Sequence, residues 1–169
     1  MKIQKAQAKA CATLLCSRGT GFSLCFLLSA ALLSAAGKPD FSGSWKLDPQ
    51  KSDFGPLPVP SKYERVIEQS GLTVHVITHQ ATGAGEQSIE TRFRTDGEFV
   101  ENRYQTGVAR VSGRWNSGSL EVETRRELQD KTLTSVEVWS LTPDNHTLTV
   151  KSHIDTPKGP LDLTLVLRR

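Results

Sequence analysis

The stretch A-R-V-S-G-R-W-N-S-G-S-L-E-V-E-T, Ala109 to Thr124, reads as a β-hairpin. Ala109, Val111, Gly113 and Trp115 alternate with Arg110, Ser112 and Arg114; beyond Asn116-Ser117-Gly118, Leu120 and Val122 alternate with Glu121 and Glu123. Successive side chains of a strand point to opposite faces, so this alternation marks strands with one dry and one wet side. Pairing Trp115 with Leu120 sets Gly113 against Val122, Val111 against Thr124 and Ala109 against Arg126, and brings Arg114 to Glu121 on the outer face.

The same texture runs outward in both directions, from Phe41 to Arg169. Turn signals recur every 10 to 14 residues, at Ser70-Gly71, Gly83-Ala84-Gly85, Asp96-Gly97, Thr106-Gly107, Asp130-Lys131, Pro143-Asp144-Asn145 and Pro157-Lys158-Gly159. This spacing predicts an all-β chain of eight to ten strands, an antiparallel meander that either closes on itself or folds into a sandwich. Asp96-Gly97 is the strongest turn signal. As a two-residue type I′ turn it pairs Thr95 with Glu98, Phe93 with Val100, Thr91 with Asn102 and Ile89 with Tyr104, with Arg92 facing Glu101 and Glu90 facing Arg103. A turn at Ser70-Gly71 pairs Ile67 with Val74, Arg65 with Val76 and Tyr63 with Thr78. A four-residue loop pairs Leu128 with Leu133, Val122 with Trp139 and Leu120 with Leu141. Longer loops pair Leu141 with Leu148, Trp139 with Val150, Val150 with Leu165, Ile154 with Leu161 and Leu148 with Leu167. A one-residue slip would exchange Leu, Val and Trp for Glu, Lys, Asp and Thr, so hydrophobicity selects the register.

Stacked by height, the inward residues separate into two halves. At the end carrying the loops near residues 71, 96, 117 and 144 they are Ile67, Leu72, Phe93, Val100, Trp115, Leu120, Leu141, Leu148 and Leu167. Toward the other end they include Tyr63, Arg65, Thr78, Asn102, Tyr104, Thr124, Arg126, Ser135, Glu137 and Ser152. An inward polar group must be paired or wet, or it costs about 1–3 kcal/mol. The expectation is a packed pole and, opposite it, an internal hydrogen-bond network or a hydrated cavity.

Residues 1–36 are a different object. Lys2, Lys5, Lys9 and Arg18 carry the only charges, and Phe22 to Ala36 is almost wholly apolar or small, ending in Ser34-Ala35-Ala36 before Gly37. This is the pattern of a cleaved secretory signal peptide, with an exported domain over 37–169. Its apolar run is short for a membrane span of about 20 residues, so no stable membrane insertion is expected after cleavage. The whole chain has a net charge of +3, but residues 37–169 hold 17 Lys and Arg against 18 Asp and Glu. That balance gives no argument for a nucleic-acid partner or an anionic membrane surface. Cys11, Cys16 and Cys25 all belong to the leader, leaving 133 residues stabilised by core burial without disulfides.

The opening F-S-G-S-W-K-L, Phe41 to Leu47, resembles the F-x-G-x-W-K-L opening of the calycins, the superfamily of lipocalins and fatty-acid-binding proteins. With D-P-Q-K-S-D-F-G it is similar to small secreted bacterial lipocalin-like proteins, whose W-x-x-G-x-L-x-V-x-T and W-x-L-x-x-D-x-x-T-L-T-V motifs match Trp115 to Thr124 and Trp139 to Val150. The resemblance implies that Trp45 lies at the closed end under an Arg of the last strand, Arg168 or Arg169. It also implies a single antiparallel up-and-down β-barrel of eight to ten strands with the first strand paired to the last, and a non-catalytic protein that holds a small amphipathic or apolar molecule. A departure stands out: fatty-acid-binding proteins place two helices between their first two strands. Here Asp48 to Ser61 has 14 residues with Pro49, Pro56, Pro58 and Pro60, which excludes a helical lid. Phe54 to Pro60 is an extended strap, read either as an apolar rim at the mouth or as a stiff linker on the barrel.

The candidate ligand site is Tyr63, Arg65, Tyr104, Arg126, Glu137 and Trp139. Arg126 is placed to receive a carboxylate, as inward Arg residues do in fatty-acid-binding relatives. The competing reading is a buried Arg126–Glu137 ion pair, since the two stand one diagonal step apart on adjacent strands. Trp115 and Trp139 read as core, with Trp139 at the cavity floor. His75, His79 and His153 face outward, and His75 and His79 stand about 13 Å apart along an extended strand, too far to share a metal. No metal and no cofactor is expected. Arg92, Arg94, Arg110 and Arg114 read as a solvated face with Glu partners across strands. Asn145-His146-Thr147 is an N-glycosylation sequon in a turn. No nucleophile–His pair, second inward carboxylate or phosphate-binding glycine pattern supports catalysis. A monomer is expected. The alternative function is a protein-binding module or enzyme inhibitor that uses loops or an outer face over a filled interior; a stable scaffold with an incidental cavity is a third reading.

Overall fold

The computed structural model describes residues 37–128 and 131–169; the leader expected over 1–36 lies outside the described residues. Ten strands follow in chain order: β1 Gly43–Leu47, β2 Lys62–Ser70, β3 Thr73–Thr82, β4 Gly85–Arg94, β5 Val100–Tyr104, β6 Gly107–Asn116, β7 Ser119–Leu128, β8 Lys131–Leu141, β9 Thr147–Thr156 and β10 Gly159–Arg168. They form one antiparallel sheet in the order β4-β3-β2-β1-β10-β9-β8-β7-β6-β5. The first strand joins the last as expected, with Lys46 opposite Arg168 and Leu47 opposite Leu167.

The opening hairpin has the expected register, Trp115 opposite Leu120 through Ala109 opposite Arg126. So do the C-terminal pairs Leu141–Leu148, Trp139–Val150, Ile154–Leu161, Val150–Leu165 and Leu148–Leu167. Two ladders are displaced by two residues. The β2–β3 turn is centred on Gly71 and Leu72, so Ile67 meets Val76, Arg65 meets Thr78, and Tyr63 meets Gln80. Gly71 takes a left-handed φ of 58°, which a glycine adopts freely. Leu72 therefore sits in the turn and is exposed rather than inward. Between β7 and β8 the ladder continues to Leu128 opposite Lys131, so the connection is two residues rather than four, and Val122 faces Glu137 while Leu120 faces Trp139. A shift of two moves every partner but no face, because side chains alternate with period two.

The larger correction concerns β4 and β5. They form no backbone ladder with each other: after Arg94 the chain crosses to β6, where Asp96 bridges Arg114 and the Gly97 amide donates to the Gly113 carbonyl at 2.9 Å. The cause is Gly113. A Cβ there would come within 2.9 Å of the Phe93 ring and 3.1 Å of the Arg94 carbonyl, so only glycine lets β4 lie this close to β6. The charges expected across β4–β5 pair along their own strands instead, Arg92 with Glu90 and Arg103 with Glu101. Arg94 likewise pairs with Asp96 and Glu98 in the segment that follows it. Side chains close the seam: the Arg92 amide donates to Asn102 Oδ1 at 2.7 Å, Asn102 Nδ2 donates to the Arg92 carbonyl at 2.8 Å, and Thr91 and Tyr104 join their hydroxyls at 2.9 Å.

The packed pole is where the stacking placed it. Phe41, Trp45, Ile67, Val74, Phe93, Leu120, Trp139, Leu148 and Leu167 are buried there. Phe41 forms the plug, stacked on Trp115 at 5.9 Å and edge-on to Trp139 at 5.6 Å. Trp45 donates its indole hydrogen to the Phe41 carbonyl at 2.8 Å, and Arg169 covers its ring at 4.6 Å. Arg168 instead pairs with Asp48 at 2.9 Å. Gly113→Ala tests the β4–β6 approach: the clash with Phe93 should lower unfolding free energy by about 1–3 kcal/mol. Urea unfolding followed by tryptophan fluorescence reads it, and an unchanged midpoint would contradict the stated contact.

Candidate functional site

Above the aromatic floor, a polar strut crosses the lumen. Arg65 on β2 reaches Glu137 on β8 through two hydrogen bonds, Nη1 to Oε2 and Nη2 to Oε1, each 3.0 Å. Three strands, β1, β10 and β9, separate β2 from β8 around the wall, so the pair runs through the interior. Arg65 Nε donates to the Tyr63 hydroxyl at 2.8 Å, and Trp139 Nε1 donates to Glu137 Oε2 at 2.7 Å. The guanidinium also lies over the rings of Tyr63 and Trp139, at 5.7 and 5.4 Å. Fork-to-fork geometry with every partner engaged is the arrangement in which a buried ion pair offsets its desolvation.

Electrostatics follow from that geometry. Burial alone would lower the Arg65 pKa, but the Glu137 carboxylate and Tyr63 outweigh it and hold the guanidinium charged. Burial alone would raise Glu137; Arg65, through charge and hydrogen bonds, and Trp139 outweigh it and hold the carboxyl below its ordinary 4.5. Burial pushes the Tyr63 phenol up, with Arg65 pulling the other way.

This overturns the expected Arg126–Glu137 pair. In the tighter β7–β8 register Arg126 stands opposite Leu133, four residues along β8 from Glu137, about 13 Å. Arg126 is half-buried with its guanidinium over the Tyr104 ring at 5.5 Å, and among the described residues no carboxylate lies within ion-pair distance of it. Of the six predicted site residues, Arg65, Tyr104, Arg126, Glu137 and Trp139 line one hollow of about 180 Å³. Tyr63 does not line it but accepts a hydrogen bond from Arg65, which does. Phe93, Val111, Val122 and Ile89 supply its apolar wall. Thr78, Thr91 and Thr124 supply hydroxyls. A second hollow of about 180 Å³ shares Thr124 and Arg126 with the first and extends to Leu133, Ser135 and Ile154.

Of the two roles read for the strap, the structure shows the one fastened to the barrel. Asp53 bonds both ways with Thr164 of β10 at 2.7 and 2.8 Å, and Phe54 packs against the core, so its start is fastened to the barrel. Leu57 and Val59 farther along it are exposed, and neither lines the two hollows. Two histidines stand beside carboxylates: His75 Nε2 lies 2.9 Å from Glu90, and His153 Nδ1 lies 2.7 Å from Asp162. Asn102, legible in the sequence as one of the inward polar residues, has a role that the pattern does not show: its side-chain amide holds β5 to the Arg92 backbone of β4.

Removing one end of the strut leaves the other charge buried and alone. Glu137→Leu should therefore cost about 3–5 kcal/mol in urea unfolding at neutral pH. Because folding depresses the Glu137 pKa, its contribution is fully present above 4.5 and is lost as pH falls below that value. The wild-type protein should lose part of its stability there, and Glu137→Leu should lack that part of the acid limb. A loss under about 1 kcal/mol, with superimposable acid limbs, would contradict the strut.

Comparison of the sequence with known family profiles finds no match, and comparison with curated proteins finds none. Solved structures do match. Human cRBP IV aligns with a TM-score of 0.54 at 16% identity, over 78% of this chain and 98% of its own. A secretary abundant heat soluble protein of Ramazzottius varieornatus aligns with a TM-score of 0.57 at 11% identity, over 76% of this chain and 94% of its own. Zebrafish ileal bile acid-binding protein complexed with cholic acid aligns with a TM-score of 0.51 at 13% identity, over 76% and 98%. At such identities the likeness is one of fold, and that fold is the calycin-type antiparallel β-barrel.

Proposed function

We propose that this protein is a non-catalytic binding protein that holds a small amphipathic molecule in the barrel, with the anionic end at Arg126 and the apolar body over Trp139 and Phe93. The observation that carries this reading is the difference between two interior cations. Arg65 is committed to Glu137, whereas Arg126 lines the hollow with its guanidinium over the Tyr104 ring and has no ion-pair or side-chain hydrogen-bond partner among the described residues. A guanidinium held at an apolar wall is suited to a planar carboxylate through two parallel hydrogen bonds. The zebrafish neighbour, complexed with cholic acid, supports the class by fold analogy. Glu137 is engaged on both oxygens by Arg65 and Trp139, which argues against its use as an acid or base. The hollow also favours this reading over an inhibitor with a filled interior.

Arg126→Ala separates binding from folding. Isothermal titration with benzoate, a single-ring anion, should show affinity reduced by roughly tenfold to a hundredfold, from a charge-assisted bond of about 1.5–3 kcal/mol. The urea midpoint should stay close to wild type. Equal affinity in both proteins, or a collapsed midpoint, would contradict the assignment.

A further inference from the structure

The depth of the hollow restricts what can enter it. A long acyl chain needs an apolar channel running far into the barrel. Here the way down is blocked by the Arg65–Glu137 strut and by Trp139, which is 2% exposed, and beneath them Trp45, Leu148 and Leu167 are fully buried. What remains is two hollows of about 180 Å³ each, meeting at Thr124 and Arg126. A cavity of about 150 Å³ accepts one benzene ring. Each hollow therefore has the volume of a single ring.

The walls point the same way. Trp139, Phe93 and Tyr104 offer ring faces and edges, which favour offset or edge-on contact with another aromatic ring. Hydroxyls of Thr78, Thr91 and Thr124 stand among them. Each hydroxyl carries a donor and two acceptor sites, and the Thr91–Tyr104 bond occupies only part of that capacity. An alkyl chain laid against these hydroxyls would remove water and return no hydrogen bond, whereas a ring hydroxyl would return one.

We infer that the ligand is a monocyclic aromatic carboxylate bearing a ring hydroxyl, its ring between Trp139 and Tyr104 and its carboxylate on Arg126. This rests on the binding-protein reading above and narrows it. Isothermal titration of the purified barrel with para-hydroxycinnamate and with hexadecanoate tests it, each repeated on Arg126→Ala. The expected result is at least tenfold tighter binding of para-hydroxycinnamate, falling at least tenfold in Arg126→Ala. Hexadecanoate binding as tightly or more tightly, and depending on Arg126, would overturn the ring-sized ligand while leaving the binding-protein reading in place. Undiminished para-hydroxycinnamate binding to Arg126→Ala would overturn the carboxylate placement. Failure of both acids to bind would overturn both readings.

Discussion

The Arg65–Glu137 pair is the constraint on which the interior depends. It is the one ionic contact among the described residues that spans the lumen, and it joins opposite walls of a sheet whose neighbouring strands are otherwise held by backbone ladders. Its position sets the boundary between packed core and hollow. Below it the side chains are apolar and buried; above it they are mixed, and Arg126 stands among them. A buried charge pair is weak evidence for stability in itself, because well-packed apolar residues often do as well. Here it has a geometric effect that apolar residues would lack: it engages Glu137, the inward carboxylate legible in the strand pattern, and so leaves Arg126 available.

The closed pole and the seam show how small residues determine such a barrel. Phe41 plugs the end only because the chain turns into β1 so that Trp45 can donate back to the Phe41 carbonyl, with Arg169, the residue after β10, above the ring. Both ends of the domain thus fasten one pole. At the opposite side, Gly113 admits Phe93, β4 leans on β6, and β5 is left to join through Asn102 and Tyr104. A single missing side chain changes a backbone ladder into a side-chain seam.

What was legible in the sequence follows from period two. Which face each residue takes depends only on parity, so the inward set was readable even where turns were misplaced. Leu128–Lys131 and Ser70–Thr73 each close one position away from the expected turn, and the core of Trp139, Val150 and Leu165 is unaffected. Partner identity is a different matter, because it depends on absolute register. Moving β8 by two residues took Glu137 out of reach of Arg126. The partner it found, Arg65, lies 72 residues away in sequence and across the lumen, where no local pattern points. Asp96-Gly97 misled for a related reason: its turn chemistry is sound, but the contact of Phe93 with Gly113 overrides it, and that contact is tertiary.

Stability measured over a double-mutant cycle on Arg65 and Glu137 tests this arrangement most directly, run beside a second cycle on Arg126 and Glu137. The account predicts a coupling of about 2–3 kcal/mol for the first pair and additivity within about 0.5 kcal/mol for the second. Coupling between Arg126 and Glu137, with Arg65 additive, would contradict it and restore the local ion pair in its place.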